Sequence, residues 1–465
     1  MTKKFLFFLY FLIPCITGAQ NTTIKGKAPD YAGKTISFYT YTEPVVHQKQ
    51  ELAATKVASD GSFALSFALK QTHEIYTDLE KFTGTLVAEP GNNYFVTLPP
   101  FSPKSIAESK SPYFEPTLYW LGLPKGNQND LNFLIRSFVT DYNNEIVRNT
   151  SAIYRNFSKE TANEIIDRLE NKYATQKNEY FTGQRKYYYA ELGNTVNPGK
   201  ADPVIEKYFK KEPVKLNHPA YQKTFQLIFS DYLRQQSMDY RKRNISALIN
   251  SGNYEGLVSY FEKLGYHKDV AELVILKGLY DGYYTGGFNK EKILKAIDQS
   301  QNSVSADLKP IVIMVRNRLT KLAVKGKAPS IKLNNLKNET ITLEKYRGKY
   351  VYLNFFRNNS KESKAELDSL VTIEKKFRQV LSVVSISIDD NFEASAKLWK
   401  EKGYVWDLLD GSKKKLLIEN YNAEIVPVFY LLDSAGNLVL SPAPPPSHEF
   451  EPLFLKLFRD YRFKK

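Results

Sequence analysis

At 465 residues, 42% apolar and 25% charged, the chain is too long for one ordinary core and too apolar to stay unfolded, so two or three domains are expected. The formal charge of +15 is spread along the chain, with only short clusters such as Lys413-Lys414-Lys415; a solvated lysine-rich surface explains that distribution, and a concentrated nucleic-acid groove does not. The one cysteine, Cys15, excludes an intrachain disulfide.

Residues 1–19 read as an export signal. Lys3 and Lys4 form a positive start, Phe5 to Ile13 is apolar, and Thr17-Gly18-Ala19 offers small residues for cleavage. The apolar run is too short to span a bilayer. Cleavage after Ala19 leaves no thiol and lowers the charge from +15 to +13, because residues 1–19 hold two lysines and no acid. The alternative is a lipid-anchored chain: Leu12-Ile13-Pro14-Cys15 loosely resembles a lipoprotein box, although proline replaces the usual small residue before Cys15.

Residues 22–100 alternate apolar and polar side chains in short runs, as in Thr35-Ile36-Ser37-Phe38-Tyr39 and Ser62 to Phe67, with turns at Asp60-Gly61 and Pro90-Gly91. An antiparallel, sandwich-like β-domain is expected. The stretches VASDGSFALSF and LVAEPGNNYFVTLP resemble the N-terminal β-domain that precedes thioredoxin modules in many Bacteroidetes envelope proteins. Residues 101–129, rich in Pro, Ser and Gly, read as a linker or an irregular connection.

Helical spacing then takes over, and residues 105–320 are expected to be all-α. Apolar residues recur at three and four over Asp130 to Val147, Lys159 to Tyr173, Tyr221 to Gln235, Ile245 to Leu264 and Asp307 to Val324. Tyr187-Tyr188-Tyr189 and Tyr283-Tyr284 read as inter-helix packing rather than a ligand platform. No repeat period is evident.

Residues 326–465 alternate strand and helix. KYVYLNFF is a buried strand, Lys361 to Phe377 a helix, VLSVVSISID a second buried strand and Phe392 to Lys402 a helix; a hairpin through Ser434-Ala435-Gly436-Asn437 and a helix over Glu449 to Tyr461 follow. That order predicts an α/β domain. It resembles the TlpA/ResA-like family of thioredoxin-fold thiol-disulfide oxidoreductases, through Pro329, the IKLNNL strand and the turn at Gly348-Lys349. Family members follow the central strand with Cys-x-x-Cys, then a basic residue and a glutamate. Here the matching positions read Ser360, Ser363, Lys364 and Glu366.

That replacement decides the expected chemistry. A thioredoxin attacks a disulfide with a thiolate whose pKa is lowered at a helix start, and a second thiol resolves the mixed disulfide. Serine does neither. No Gly-x-Ser-x-Gly elbow makes Ser360 or Ser363 a hydrolytic nucleophile; Ser360 reads as a helix cap and Ser363-Lys364-Ala365-Glu366 as a capping box. The resemblance also implies a cis-proline at Val426-Pro427, beside which an extended peptide can pair, so Val426, Pro427 and Val428 are the candidate binding residues. Asp433 and Gly436 match the family's hairpin, and Asp389-Asp390 reads as a loop-capping pair.

The five histidines have no metal-ligand spacing, and no phosphate, dinucleotide or calcium loop is present, so no cofactor or metal is expected. The resulting expectation is an exported envelope protein, periplasmic or associated with the outer membrane, that binds a peptide or protein partner without catalysis and does not bind nucleic acid. Two alternatives stand: an oxidoreductase role kept through a partner's thiols, and a purely structural module.

Overall fold

The computed structural model describes residues 19–462, apart from 106, 109–110, 112–113, 125–129, 240–243, 286, 390 and 413. The proposed signal segment and Cys15 therefore lie outside the described residues, as does Asp390. The chain forms two compact units, Met1–Val315 and Arg316–Lys465. Among the described residues no helix is long and apolar enough to cross a membrane.

The first unit opens with strands β1 (Gln20–Lys27), β2 (Thr35–Tyr41), β3 (Lys49–Lys56), β4 (Ser62–Leu69), β5 (His73–Leu79), β6 (Phe82–Ala88), β7 (Asn93–Val96) and β8 (Thr117–Trp120). One sheet has the order β4-β1-β7 and the other β3-β2-β5-β6-β8. Strict alternation in Ser62–Leu69 buries Phe63, Leu65, Phe67 and Leu69, because successive side chains of a strand point to opposite faces. These residues join Ile36, Phe38, Ile75 and Leu86 of the second sheet in one apolar cluster. At the β3–β4 turn Gly61 has φ +81° and lies so close to Pro29 that a Cβ would sit 2.7 Å from the Pro29 backbone, so only glycine fits there.

Two expectations for this region are corrected. The sheets are not purely antiparallel, since β1 pairs with β7 and β6 with β8 in parallel. The supposed linker, within the region expected to be all helical, supplies β8, whose short run Thr117-Leu118-Tyr119-Trp120 completes a sheet edge. Its proline- and serine-rich flanks masked a four-residue β-prone segment.

Helices follow from Leu131–Arg148 to Lys309–Thr320. Many starts are set by capping side chains: Asp130, Ser158, Asn178, Asn253 and Asn289 each accept a first-turn amide, a favoured way of satisfying donors that have no partner within the helix. Two expected long helices are each broken in two. Asp231, with φ +55°, separates Pro219–Phe229 from Tyr232–Met238, and Gly252, with φ +67°, separates Asn244–Ser251 from Tyr254–Lys263. The Lys268–Thr285 helix had no readable stripe because eleven of its residues, from Val270 to Gly282, are buried around its circumference. Tyr187 and Tyr189 are buried, and Tyr187 meets Tyr221 edge-on at 5.0 Å, in keeping with inter-helix packing; Tyr284 is more exposed, against Tyr283 and Tyr280.

Polar groups tie sheet to helices inside this unit. Asn132 accepts from the Val87 amide at 2.7 Å and donates to its carbonyl at 2.8 Å; Gln222 donates to the Tyr41 carbonyl at 3.0 Å. Buried His218 hydrogen-bonds the Tyr180 carbonyl through Nε2 at 3.0 Å and stacks on the Tyr180 ring. Burial pushes its imidazole down to about 4. A depressed folded-state pKa contributes stability that is complete above the unfolded value of about 6.5 and is lost as pH falls toward 4, about 3 kcal/mol in all. Glu74, raised by burial, works in the opposite sense. His218→Gln should therefore flatten the stability loss between pH 6.5 and 4, read from urea melts across that range relative to the native chain; an unchanged profile would show that His218 does not titrate there.

The second unit holds β9 (Lys332–Asn334), β10 (Thr340–Thr342), β11 (Tyr350–Phe356), β12 (Leu381–Ser387), β13 (Asp407–Asp410), β14 (Val428–Leu432) and β15 (Leu438–Ala443). The main sheet has the order β13-β12-β11-β14-β15, with β11, β12 and β13 parallel and β14 and β15 antiparallel. All seven residues of β11 are buried, because both faces of this strand are covered. Val351, Leu353 and Phe355 pack into one core with Tyr421 and Tyr430. On the other face Tyr350, Tyr352 and Phe356 pack with Leu367, Leu370 and Ile373 of the Lys361–Phe377 helix and with Phe450 and Phe454 of the Phe450–Arg462 helix.

Candidate functional site

The parallel register aligns the carboxyl ends of three strands, with Phe356 opposite Ser387 and Ser387 opposite Asp410. The antiparallel β14 enters at the same edge, with Val428 opposite Phe355. The sheet order thus collects the loop 357–360, the end of β12 and the Ile425–Pro427 segment at one edge, the place where open α/β sheets carry their sites.

Ser360 is the N-cap of the Lys361–Phe377 helix, with φ −93° and ψ 126°. Its Oγ accepts from the Ser363 amide at 3.1 Å and donates to Glu362 Oε2 at 2.9 Å. Ser363 is fully buried, and its Oγ accepts weakly from the Arg357 amide at 3.4 Å. Both hydroxyls are therefore engaged at the helix start, and neither has a histidine bonded to it among the described residues.

The expected capping box over Ser363 to Glu366 does not form. Ser360 takes the N-cap position, three residues earlier, so Glu366 lies beyond the first turn. Glu366 instead accepts from Ser447 through its amide at 3.1 Å and its hydroxyl at 2.6 Å, and Ser447 Oγ lies 2.8 Å from His448 Nδ1. The glutamate thereby ties the helix to the segment leading into the last helix. Lys364 is exposed on the same turn.

Val426, Pro427 and Val428 are half-buried, and the Val426–Pro427 bond is cis. The neighbouring Ile425 is 75% exposed, so apolar surface flanks the segment. Asp433 accepts the Ala435 and Asn437 amides at 2.9 Å, closing the hairpin in which Gly436 has φ +81°. Tyr421 donates to the Pro329 carbonyl at 2.6 Å, which gives Pro329 a packing role.

A buried polar network holds this edge together, built on the loop-capping Asp389 that the sequence suggested and on serine partners that it did not. The Asp389 carboxylate accepts the Asn358 amide at 2.9 Å, Ser387 Oγ at 3.0 Å and Ser395 Oγ at 2.7 Å. Asp389 so caps the loop just before Ser360. The available signal was the period-two recurrence of Ser385 and Ser387 at the end of β12, which places two hydroxyls on one covered face.

Asn354, at the centre of β11, is fully buried, and both its amide oxygen and its nitrogen lack hydrogen-bond partners. An unsatisfied buried polar atom costs about 1–3 kcal/mol. Asn354→Leu, similar in volume, is expected to stabilise this unit by about 1–2 kcal/mol in urea melts; a destabilised variant would show that the amide is satisfied after all.

Among the described residues no group of three or more His, Cys, Asp or Glu side chains could hold a metal ion. The arrangement offers helix-start amides, engaged serine hydroxyls and an apolar, proline-containing edge.

Residues 324–441 match the AhpC/TSA family. A thioredoxin-like protein of Bacillus subtilis, YneN, is 29% identical over 114 residues, which cover 23% of this chain and 65% of that protein. The chain therefore spans just under two thirds of that relative's length. Among solved structures, the thioredoxin domain of a thiol-disulfide oxidoreductase from Bacteroides vulgatus is 25% identical, covering 25% of this chain and 86% of that one with a TM-score of 0.24. A thiol-disulfide oxidoreductase from Bacteroides fragilis is also 25% identical, covering 28% and 98% with a TM-score of 0.25. A thioredoxin-like protein from Bacteroides caccae is 14% identical, covering 54% and 99% with a TM-score of 0.32. The C-terminal region of this chain is thus thioredoxin-like, similar over residues 324–441 to the AhpC/TSA family, and it is preceded by a sheet-rich region and a helical middle.

Proposed function

We propose that this chain is an exported envelope protein whose thioredoxin-like domain binds an extended polypeptide segment along Ile425–Pro427 without redox chemistry. One observation carries the reading: at the two positions where the resemblance places cysteines, Ser360 and Ser363 have their hydroxyls engaged with the helix-start backbone. Serine oxygen forms no exchangeable bond with a disulfide, so the two-thiol cycle has no atoms to run on. Exposed Ile425 beside half-buried Val426 supports an apolar contact, and an extended peptide presents both side chains and backbone amides to such an edge. In this reading the two N-terminal sheets form a sandwich, supported by their shared core, and the basic, apolar first residues supply the export signal.

The test is binding of reduced, carboxymethylated lactalbumin, an unfolded polypeptide without free thiols. The native protein should bind it saturably, and Ile425→Glu and Val426→Glu should each weaken binding at least tenfold at unchanged melting temperature. Absence of binding, or equal binding by both variants, contradicts the reading.

A further inference from the structure

The first unit contains a groove of about 750 Å³, within the size range of ligand pockets, and distant in sequence from the thioredoxin-like edge. One part of its lining is aliphatic: Val214, Leu216, Pro310, Ile311 and Met314. Another is neutral and polar, from Gln71 and Thr72 of the β4–β5 turn and from Asn217. The stacked His218 and Tyr180 rings also line it, with centroids 4.4 Å apart.

Charge narrows the occupant. Glu43, Glu179 and Asp307 face the groove against a single Lys215. Glu43 is tied down by the amides of Val45, Val46 and Gln48, and Glu179 pairs with Lys215 at 2.7 Å. Three helices also begin at the groove, Glu179–Thr195 after Asn178, Pro219–Phe229 after His218, and Lys309–Thr320 beside Asp307. Each helix start carries about half a positive charge, which offsets most of the surplus acid. A strongly charged ligand of either sign therefore gains little here.

We infer that this groove binds an uncharged, extended peptide segment, as a second recognition site separate from the thioredoxin-like domain. Such a segment presents aliphatic side chains to the Ile311 and Met314 wall and backbone amides to Gln71, Thr72 and Asn217. A hydrocarbon chain leaves those amides and hydroxyls unpaired, and a neutral sugar leaves the aliphatic wall unmatched, since the two aromatic rings of the lining stack on each other and His218 is only 5% exposed.

The experiment titrates the mature chain with acetylated, amidated tetrapeptide pools that are uncharged, acidic or basic, and with maltotetraose, by calorimetry. The uncharged pool should bind saturably and at least tenfold more tightly than either charged pool. Thr72→Trp and Asn217→Trp, two separate ways of filling the groove at half-buried positions, should each weaken that binding tenfold or more at unchanged melting temperature. The inference is overturned if no pool binds, if a charged pool or the sugar binds best, or if both folded variants bind like the native protein.

Discussion

Asp389→Ala is expected to destabilise the C-terminal unit by about 3–5 kcal/mol. The carboxylate is 9% exposed and receives three kinds of donor, the Asn358 amide, Ser387 Oγ and Ser395 Oγ. A hydrogen bond to a charged group contributes about 1.5–3 kcal/mol, and each donor left buried without a partner costs about 1–3. The two serine oxygens lie 2.9 Å apart, so once the carboxylate is gone one hydroxyl can donate to the other and part of the loss is recovered; the Asn358 amide has no such substitute. The effect should extend beyond stability, because the Asn358 loop leads directly into the Ser360 cap. Urea melts of the variant measure the first consequence, and faster amide exchange at Asn358 and Ser363 measures the second. A loss below about 1 kcal/mol would mean that the network is not what holds this edge.

The second large effect is a gain. Replacing both Ser360 and Ser363 by Cys is expected to raise disulfide-reducing activity from background to at least tenfold above it. The positions sit three residues apart at a helix start, where free amides and the helix dipole lower a thiol's pKa and favour the attacking thiolate. Ser360 is half-buried and Ser363 fully buried, so the first position suits the attacking thiol and the second the resolving one. Ser360→Cys alone should trap mixed disulfides without turnover. If the double variant folds and stays inactive, the edge has lost more than its sulfur atoms.

Much of the C-terminal architecture was legible because its pattern is local. The Lys361–Phe377 helix matches its sequence span because Leu367, Leu370, Ile373 and Phe377 recur at helical spacing on one buried face. β11 read as a central strand because an apolar run broken only by Asn354 suits a strand covered on both faces. What escaped notice depended on distant partners. β8 is four residues long and defined only by pairing with β6, and the Lys268–Thr285 helix is buried too evenly to show a stripe. At the candidate site the residues were readable and their partners were not. Ser-x-x-Glu fits a capping box as well as it fits a serine one turn inside the helix, and the earlier Ser360 decides between them. Glu366 finds Ser447, 81 residues away, a pairing that no local spacing announces.

In the proposed function the thioredoxin-like fold is kept without its redox reaction. The most direct measurement is the turbidity of insulin reduced by dithiothreitol, followed with and without the native protein at micromolar concentration. The predicted result is the same rate in both, since neither Ser360 nor Ser363 can form a mixed disulfide. Reproducible acceleration by purified native protein, abolished when residues 316–465 are removed, would contradict the account.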